Sequence, residues 1–123
     1  MDELYLDTII DRYKHPTNKG KIAGIPEGYK LEKKTAVNTS CGDQFSIEIL
    51  FANDIVVDAK WSGEGCAIST VSVDSFCEWM VGKKRQELVT VDKRLINILT
   101  GIEEITPARE KCLYLSLRLS NSS

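Results

Sequence analysis

Two alternating apolar runs joined by a short spacer constrain this chain more than any other feature. Phe45, Ile47, Ile49 and Phe51 occupy every second position of the first run, and Ile55, Val57, Ala59 and Trp61 those of the second. A period of two is that of half-buried strands. Ala52-Asn53-Asp54 between them reads as a tight turn. Strands joined this closely pair antiparallel, which brings the outer ends of the hairpin together. Those ends carry Asn38-Thr39-Ser40-Cys41-Gly42-Asp43 and Gly63-Glu64-Gly65-Cys66. Cys41 and Asp43 are therefore expected beside Cys66.

The rest of the chain supplies one more strand and several helices. Leu4 to Lys14 predicts a helix with Tyr5, Ile9 and Tyr13 on one stripe, ended by Pro16. A strand within Tyr29 to Val37 would join the hairpin as a third. Cys66 to Val81 predicts a helix striped by Cys66, Thr70, Val73, Cys77 and Met80 and stopped at Gly82. Its small residues, Ala67, Ser69, Thr70, Ser72 and Ser75, allow close packing. Arg85 to Leu88 reads as a further helical turn. Asp92 is the expected N-cap of a helix that ends at Gly101. Thr106 and Pro107 open a last helix with Ala108, Cys112, Leu115 and Leu119 on one face. Strands first and helices after them argue an α+β fold.

At 123 residues the chain suits a single domain, 1–123, and 42% hydrophobic residues can fill its core. A net charge of −2 with no Lys/Arg-rich face or tail gives no sign of nucleic-acid binding. Lys83-Lys84-Arg85 is expected to be a solvated junction between helices. No apolar run reaches the ~20 residues of a membrane span. Met1-Asp2-Glu3 opens no signal-peptide pattern. A cytoplasmic location follows as the expectation, and there four cysteines serve better as ligands, nucleophiles or core residues than as disulfides.

The cysteines differ in their surroundings. In Cys41-Gly42-Asp43 the glycine lets both flanking side chains turn toward one point, although a plain turn is an equal reading. Cys66 begins a helix, where the N-terminal field favours a thiolate. Cys112 has Arg109 three residues before it, on the same face, where a guanidinium would also favour the thiolate. Alone, Cys112 reads more simply as part of the apolar stripe. Cys77 lies eleven residues beyond Cys66, about 16 Å along the helix axis, too far to share an ion, and is expected in the core. If they converge, three thiols and one carboxylate make a tetrahedral site for Zn²⁺ or for iron with sulfide. A closed structural zinc site would use Cys and His rather than Asp43. The single histidine, His15, is expected at the surface.

Taken together, these residues resemble the IscU/SufU/NifU-type iron–sulfur cluster assembly scaffolds. The resemblance is carried by Tyr13-Lys14-His15-Pro16-Thr17-Asn18-Lys19-Gly20, Cys41-Gly42-Asp43, Gly63-Glu64-Gly65-Cys66, Glu78-Trp79-Met80-Val81-Gly82-Lys83 and Pro107-Ala108-Arg109-Glu110-Lys111-Cys112. It implies a three-stranded antiparallel sheet with helices packed on it, and Cys41, Asp43, Cys66 and Cys112 as ligands. It also implies a protein that takes sulfur from a cysteine desulfurase as persulfide, with Cys41 or Cys112 as acceptor. Such a protein assembles a transient [2Fe–2S] cluster and passes it to apo-proteins, acting as a scaffold rather than an enzyme. Members of the family are often isolated with Zn²⁺. The alternative within the family is a zinc-dependent sulfurtransferase that holds no cluster. Lys111 before Cys112 is a SufU feature, yet the usual SufU insertion is missing. The IscU chaperone signal Leu-Pro-Pro-Val-Lys is also absent, with Ile105-Thr106-Pro107-Ala108-Arg109 near its place, so a dedicated chaperone is not implied.

Overall fold

The computed structural model describes residues 3–38, 42–102 and 106–121. Cys41 and the side chains of residues 3–6, 108, 120 and 121, among them Tyr5 and Ala108, lie outside the described residues. Three strands, β1 (Lys30–Asn38), β2 (Asp43–Ala52) and β3 (Ile55–Glu64), form one antiparallel sheet in the order β1-β2-β3. Helix α1 (Glu3–Lys14) precedes them, and α2 (Ala67–Met80), α3 (Arg85–Leu88), α4 (Lys93–Thr100), α5 (Pro107–Leu113) and α6 (Leu115–Asn121) follow. The expected α+β class and the third strand are both present.

The β2–β3 turn is made by Asn53 (φ 53°) and Asp54 (φ 62°), both left-handed, as a two-residue hairpin of matching twist requires. In β2 the alternation holds: Phe45, Ile47, Ile49 and Phe51 are buried. In β3 it does not. A bulge between Leu50 and Phe51 shifts the register, so Val56 is buried while Ile55 and Val57 are each 39% exposed. An extra residue in one strand switches which side chains face the core. The opposite sheet face is polar: Glu48 stands in register between Lys33 and Lys60, and the Thr35 and Ser46 hydroxyls are 3.2 Å apart.

β3 would be a bare edge, and two loops cover it. Trp61 exchanges backbone hydrogen bonds with Asn18 and Gly20 (3.0 and 2.8 Å), and Val56 does so with Lys83 and Gly82 (2.9 and 2.8 Å). Such cover removes a template for pairing with other chains. Arg85 of the basic cluster is more than a solvated residue: it pairs with Glu32 and Asp54 and lies over the Phe51 ring at 4.0 Å.

Helix α2 is the hub, packed on β3, α1, α4, α5 and α6. Ser69, Thr70, Ser72 and Ser75 are all buried, so its small residues do serve close packing. The Ser72 hydroxyl donates to the Leu113 carbonyl and meets that of Ser116 at 3.0 Å, tying α2 to the last helices. Asp92 caps α4 through the Leu95 N–H, and Gly101 ends it at φ 75°. The last helix is not continuous. It breaks at Tyr114 (φ −96°, ψ 16°), and the bend keeps Cys112, Leu113, Leu115 and Leu119 buried together. Among the described residues no helix is long and apolar enough to cross a membrane.

Candidate metal centre

The outer end of the hairpin and the N-terminus of α2 meet where β2 begins. Asp43, the first residue of β2, is fully buried. Its Oδ1 accepts from the Cys66 N–H at 3.0 Å and from the Ser69 hydroxyl at 3.2 Å. The two glycines before Cys66 make this approach possible. A Cβ on Gly63 (φ 124°) would lie 2.1 Å from the Gln44 carbonyl oxygen. One on Gly65 would lie 2.6 Å from Asp43 Oδ1 and 2.7 Å from the Ser69 hydroxyl.

Cys66 is the N-cap of α2 rather than its first residue, and its Sγ accepts from the Ser69 N–H at 3.5 Å. Burial pushes the Cys66 thiol up. Hydrogen bonds from the Ser69 hydroxyl, the Ser69 N–H and Cys112 outweigh that and hold it below the ordinary thiol value. Cys112, fully buried in α5, brings its sulfur to the same place. Arg109 lies one helical turn before it. The guanidinium interacts first with Cys66, by charge and hydrogen bonding, and then with Cys112. A partner for both sulfurs is thus in place, as the spacing of Arg109 and Cys112 suggests.

One ligand atom from each of Asp43, Cys66 and Cys112 lies within 4.8 Å of the other two. Zinc binds sulfur at about 2.3 Å and carboxylate oxygen at about 2.0–2.2 Å, so donors sharing one tetrahedral ion stand roughly 3.5–4 Å apart. The observed cluster, bounded at 4.8 Å, needs only a small contraction at most to close on one ion. Asp43 Oδ2 is buried with no hydrogen-bond partner among the described residues. An unpartnered buried carboxylate oxygen is costly, and a divalent cation held jointly by two thiolates would satisfy it. Two sulfurs and one oxygen suit Zn²⁺ or iron. Of the four ligands expected from the sequence, three are together, and Cys41 lies outside the described residues.

Cys77 is fully buried in the core, where desolvation pushes its thiol far above the usual range. His15 is exposed. Ser69 was not among the expected site residues, although its place three residues after a helix-capping Cys66 is the position from which a backbone N–H reaches a cap. Asp74 was also missed. It is fully buried, and its carboxylate accepts from Arg12 (3.2 Å), from the backbone N–H groups of Thr17 and Asn18 (3.3 and 2.9 Å) and from Trp61 Nε1 (2.8 Å). It holds the Thr17-Asn18-Lys19-Gly20 loop against the hairpin.

Comparison with known proteins places these features in a family context. The profile of the NifU-like N terminal domain matches residues 4–119. The zinc-dependent sulfurtransferase SufU of Bacillus subtilis (strain 168) is 31% identical, over 94% of this chain and 86% of that protein. The iron–sulfur cluster assembly scaffold protein IscU of Streptococcus pyogenes serotype M1 is 28% identical, over 90% of this chain and 65% of that protein. A crystal structure from thermophilic Fervidobacterium islandicum AW-1, assigned as an iron–sulfur cluster assembly scaffold protein for the SUF system, superposes with a TM-score of 0.70 at 28% identity. It covers 98% of this chain and 93% of that one.

Proposed function

The chain belongs to the NifU-like N-terminal domain family, that of the iron–sulfur cluster assembly scaffolds, and we propose on that premise that residues 1–123 act as one domain that receives sulfur and builds a transient [2Fe–2S] cluster. Cys41, Asp43, Cys66 and Cys112 are the proposed ligands, a cysteine desulfurase the sulfur donor and apo-proteins the acceptors. The observation that carries the reading is the convergence of Asp43, Cys66 and Cys112, with one Asp43 oxygen left unpartnered.

Sulfur enters by attack of a thiolate of this chain on the terminal sulfur of the desulfurase persulfide. A new S–S bond forms, the old one breaks, and the desulfurase cysteine leaves as thiolate with the electron pair. Cys41 and Cys112 are the candidate acceptors. Arg109 supports the thiolate form of Cys112 by its positive charge. The outer sulfur of the persulfide becomes sulfide by taking two electrons from two molecules of a small thiol, which leave as their disulfide. Iron and sulfide are cargo in this scheme. Thiolates hold them well, whereas the harder carboxylate oxygen of Asp43 is a weaker corner at which an acceptor thiolate can enter.

The second reading is a zinc-dependent sulfurtransferase, favoured by Lys111 before Cys112 and by the similarity to the Bacillus protein. Reconstitution with iron, a desulfurase and free cysteine separates the two. A cluster chromophore that transfers to an apo-acceptor supports the scaffold. Zinc-dependent stimulation of the desulfurase with no chromophore overturns it in favour of the transferase.

A further inference from the structure

A second cleft, of about 560 Å³, lies between the end of β1 and the α5–α6 bend. Its volume is that of a small-ligand site. Lys93, Lys111 and Arg118 line it against a single carboxylate, Glu110, so its walls carry an excess of positive charge. Arg118 spends one N–H on the Val37 carbonyl at 2.8 Å, which fixes the guanidinium at the rim. Lys93 is held over the Tyr114 ring at 5.1 Å, and Tyr114 is in turn fixed by its hydroxyl to Asn97 at 2.8 Å. Neither Lys93 nor Lys111 forms an ion pair among the described residues.

The independent observation is Asn38. It lines the same cleft, is only 4% exposed, and its Nδ2 has no hydrogen-bond partner among the described residues. A buried amide donor left unpaired is costly, so a ligand that accepts from it has a built-in advantage. Of the charged groups lining it, two ammoniums and a guanidinium also only donate, and Glu110 alone accepts. A site of donors with surplus positive charge selects an acceptor-rich anion.

The geometry points to an oxyanion site in this cleft, one that takes a small dianion such as a dicarboxylate or a phosphate and closes on it with Asn38, Lys93, Lys111 and Arg118. The cleft joins the end of β1, three residues before Cys41 in sequence, to the exposed side of the helix whose buried side carries Cys112. An anion bound there bridges the two segments. The site needs no metal, and through Asn38, which stands in register opposite Asp43, it adjoins the proposed metal centre.

Calorimetric titration of the full chain tests it at low ionic strength, with succinate, inorganic phosphate and a tetraglutamate peptide as probes. The two small anions are weak chelators, so the metal centre does not report. Saturable binding of a small anion, with a shift of the Asn38 side-chain amide resonance, is expected. The Lys93→Ala/Lys111→Ala protein, changed only at exposed positions, is expected to bind at least about tenfold more weakly, the scale of lost charge-assisted contacts. Lys21→Ala, remote from the cleft, is expected to bind as the unmodified chain does. Succinate against phosphate tells the carboxylate from the phosphate source, and tighter binding of tetraglutamate would assign the site to carboxylates of a partner chain. No saturable binding of any probe, or equal binding by the double variant, would overturn the proposal.

Discussion

The backbone N–H of Cys66 donates to Oδ1 of Asp43 at 3.0 Å, so two residues 23 apart in sequence touch through a main-chain group at the mouth of the hairpin. One carboxylate oxygen therefore has a structural task while the other is left unpartnered. A turn-capping role for Asp43 describes only the first oxygen, and the bond it makes crosses the hairpin.

Substitutions at Asp43 separate the two tasks. Asp43→Asn keeps a carbonyl oxygen for Cys66 and Ser69 but places an NH₂ group, a poor ligand, at the second position. Its stability is expected within about 1 kcal/mol of the unmodified protein, with most of the metal lost. Asp43→Ala should lose metal and also about 1–3 kcal/mol, because the Cys66 N–H and the Ser69 hydroxyl lose their acceptor. Elemental analysis beside urea unfolding reads both. An Asp43→Asn protein that keeps its full metal content would remove Asp43 from the ligand set.

Ser69 tunes Cys66. In the metal-free protein the Cys66 thiol ionises below the ordinary value because Ser69 and Cys112 hydrogen-bond to it despite its burial. The pH midpoint of its alkylation is expected below the ~8.5 of a free thiol, and Ser69→Ala should move it upward. The sign for stability follows. The folded-state value is depressed, so the contribution is complete above the unfolded value and is lost as pH falls through the folded one. Cys77, raised by burial, should stay unreactive across the range. An unchanged midpoint in Ser69→Ala would refute the assignment.

Asp74 tests what holds the N-terminal loop. Asp74→Ala leaves the Trp61 indole N–H and two backbone N–H groups without their acceptor and removes one partner of Arg12, which keeps Glu78 and Ser75. The cost is expected at about 3 kcal/mol, the range for breaking a buried, hydrogen-bonded charge pair. Urea unfolding measures it. A loss under about 1 kcal/mol, the level of an ordinary surface change, would mean that the loop is held by other contacts.

Gly65 and Gly24 give a matched pair. A Cβ at Gly65 would press on Asp43 Oδ1 and Phe45, both at 2.6 Å, whereas one at Gly24 meets nothing within 4 Å. Gly65→Ala is expected to cost about 1–3 kcal/mol, as overpacking does, and to disturb metal binding. Gly24→Ala carries only the strain of its left-handed backbone, about 1–2 kcal/mol, with metal binding intact. Equal metal content in both variants would contradict the role given to Gly65.

Much of this arrangement was legible in the sequence where local chemistry decides it. The period-two runs gave the hairpin, and the hairpin brought Asp43 to Cys66. Asp92 and Gly101 bounded α4 because capping is a local matter. The bulge that turns Val57 outward was not legible, since β-branched residues suit either face of a strand. The break at Tyr114 also escaped, because the apolar stripe continues through it and the groups that accompany the bend, the Ser72 hydroxyl on the Leu113 carbonyl and the packing of α6 on α2 and β1, come from distant parts of the chain. Ser69 and Asp74 escaped for another reason. A small or acidic residue on a helix normally faces solvent, and only the assembled fold shows the donors that keep these two inside.

The central claim is that Asp43, Cys66 and Cys112, with Cys41, form one metal centre and that Cys77 has no part in it. Elemental analysis of Cys66→Ser, Cys112→Ser and Cys77→Ser, purified in parallel with the unmodified protein, tests it most directly. Cys77→Ser is expected to keep about one ion per chain, as a single tetrahedral site holds, while Cys66→Ser and Cys112→Ser lose most of theirs. Equal loss in all three, or full retention in Cys66→Ser and Cys112→Ser, would contradict the claim.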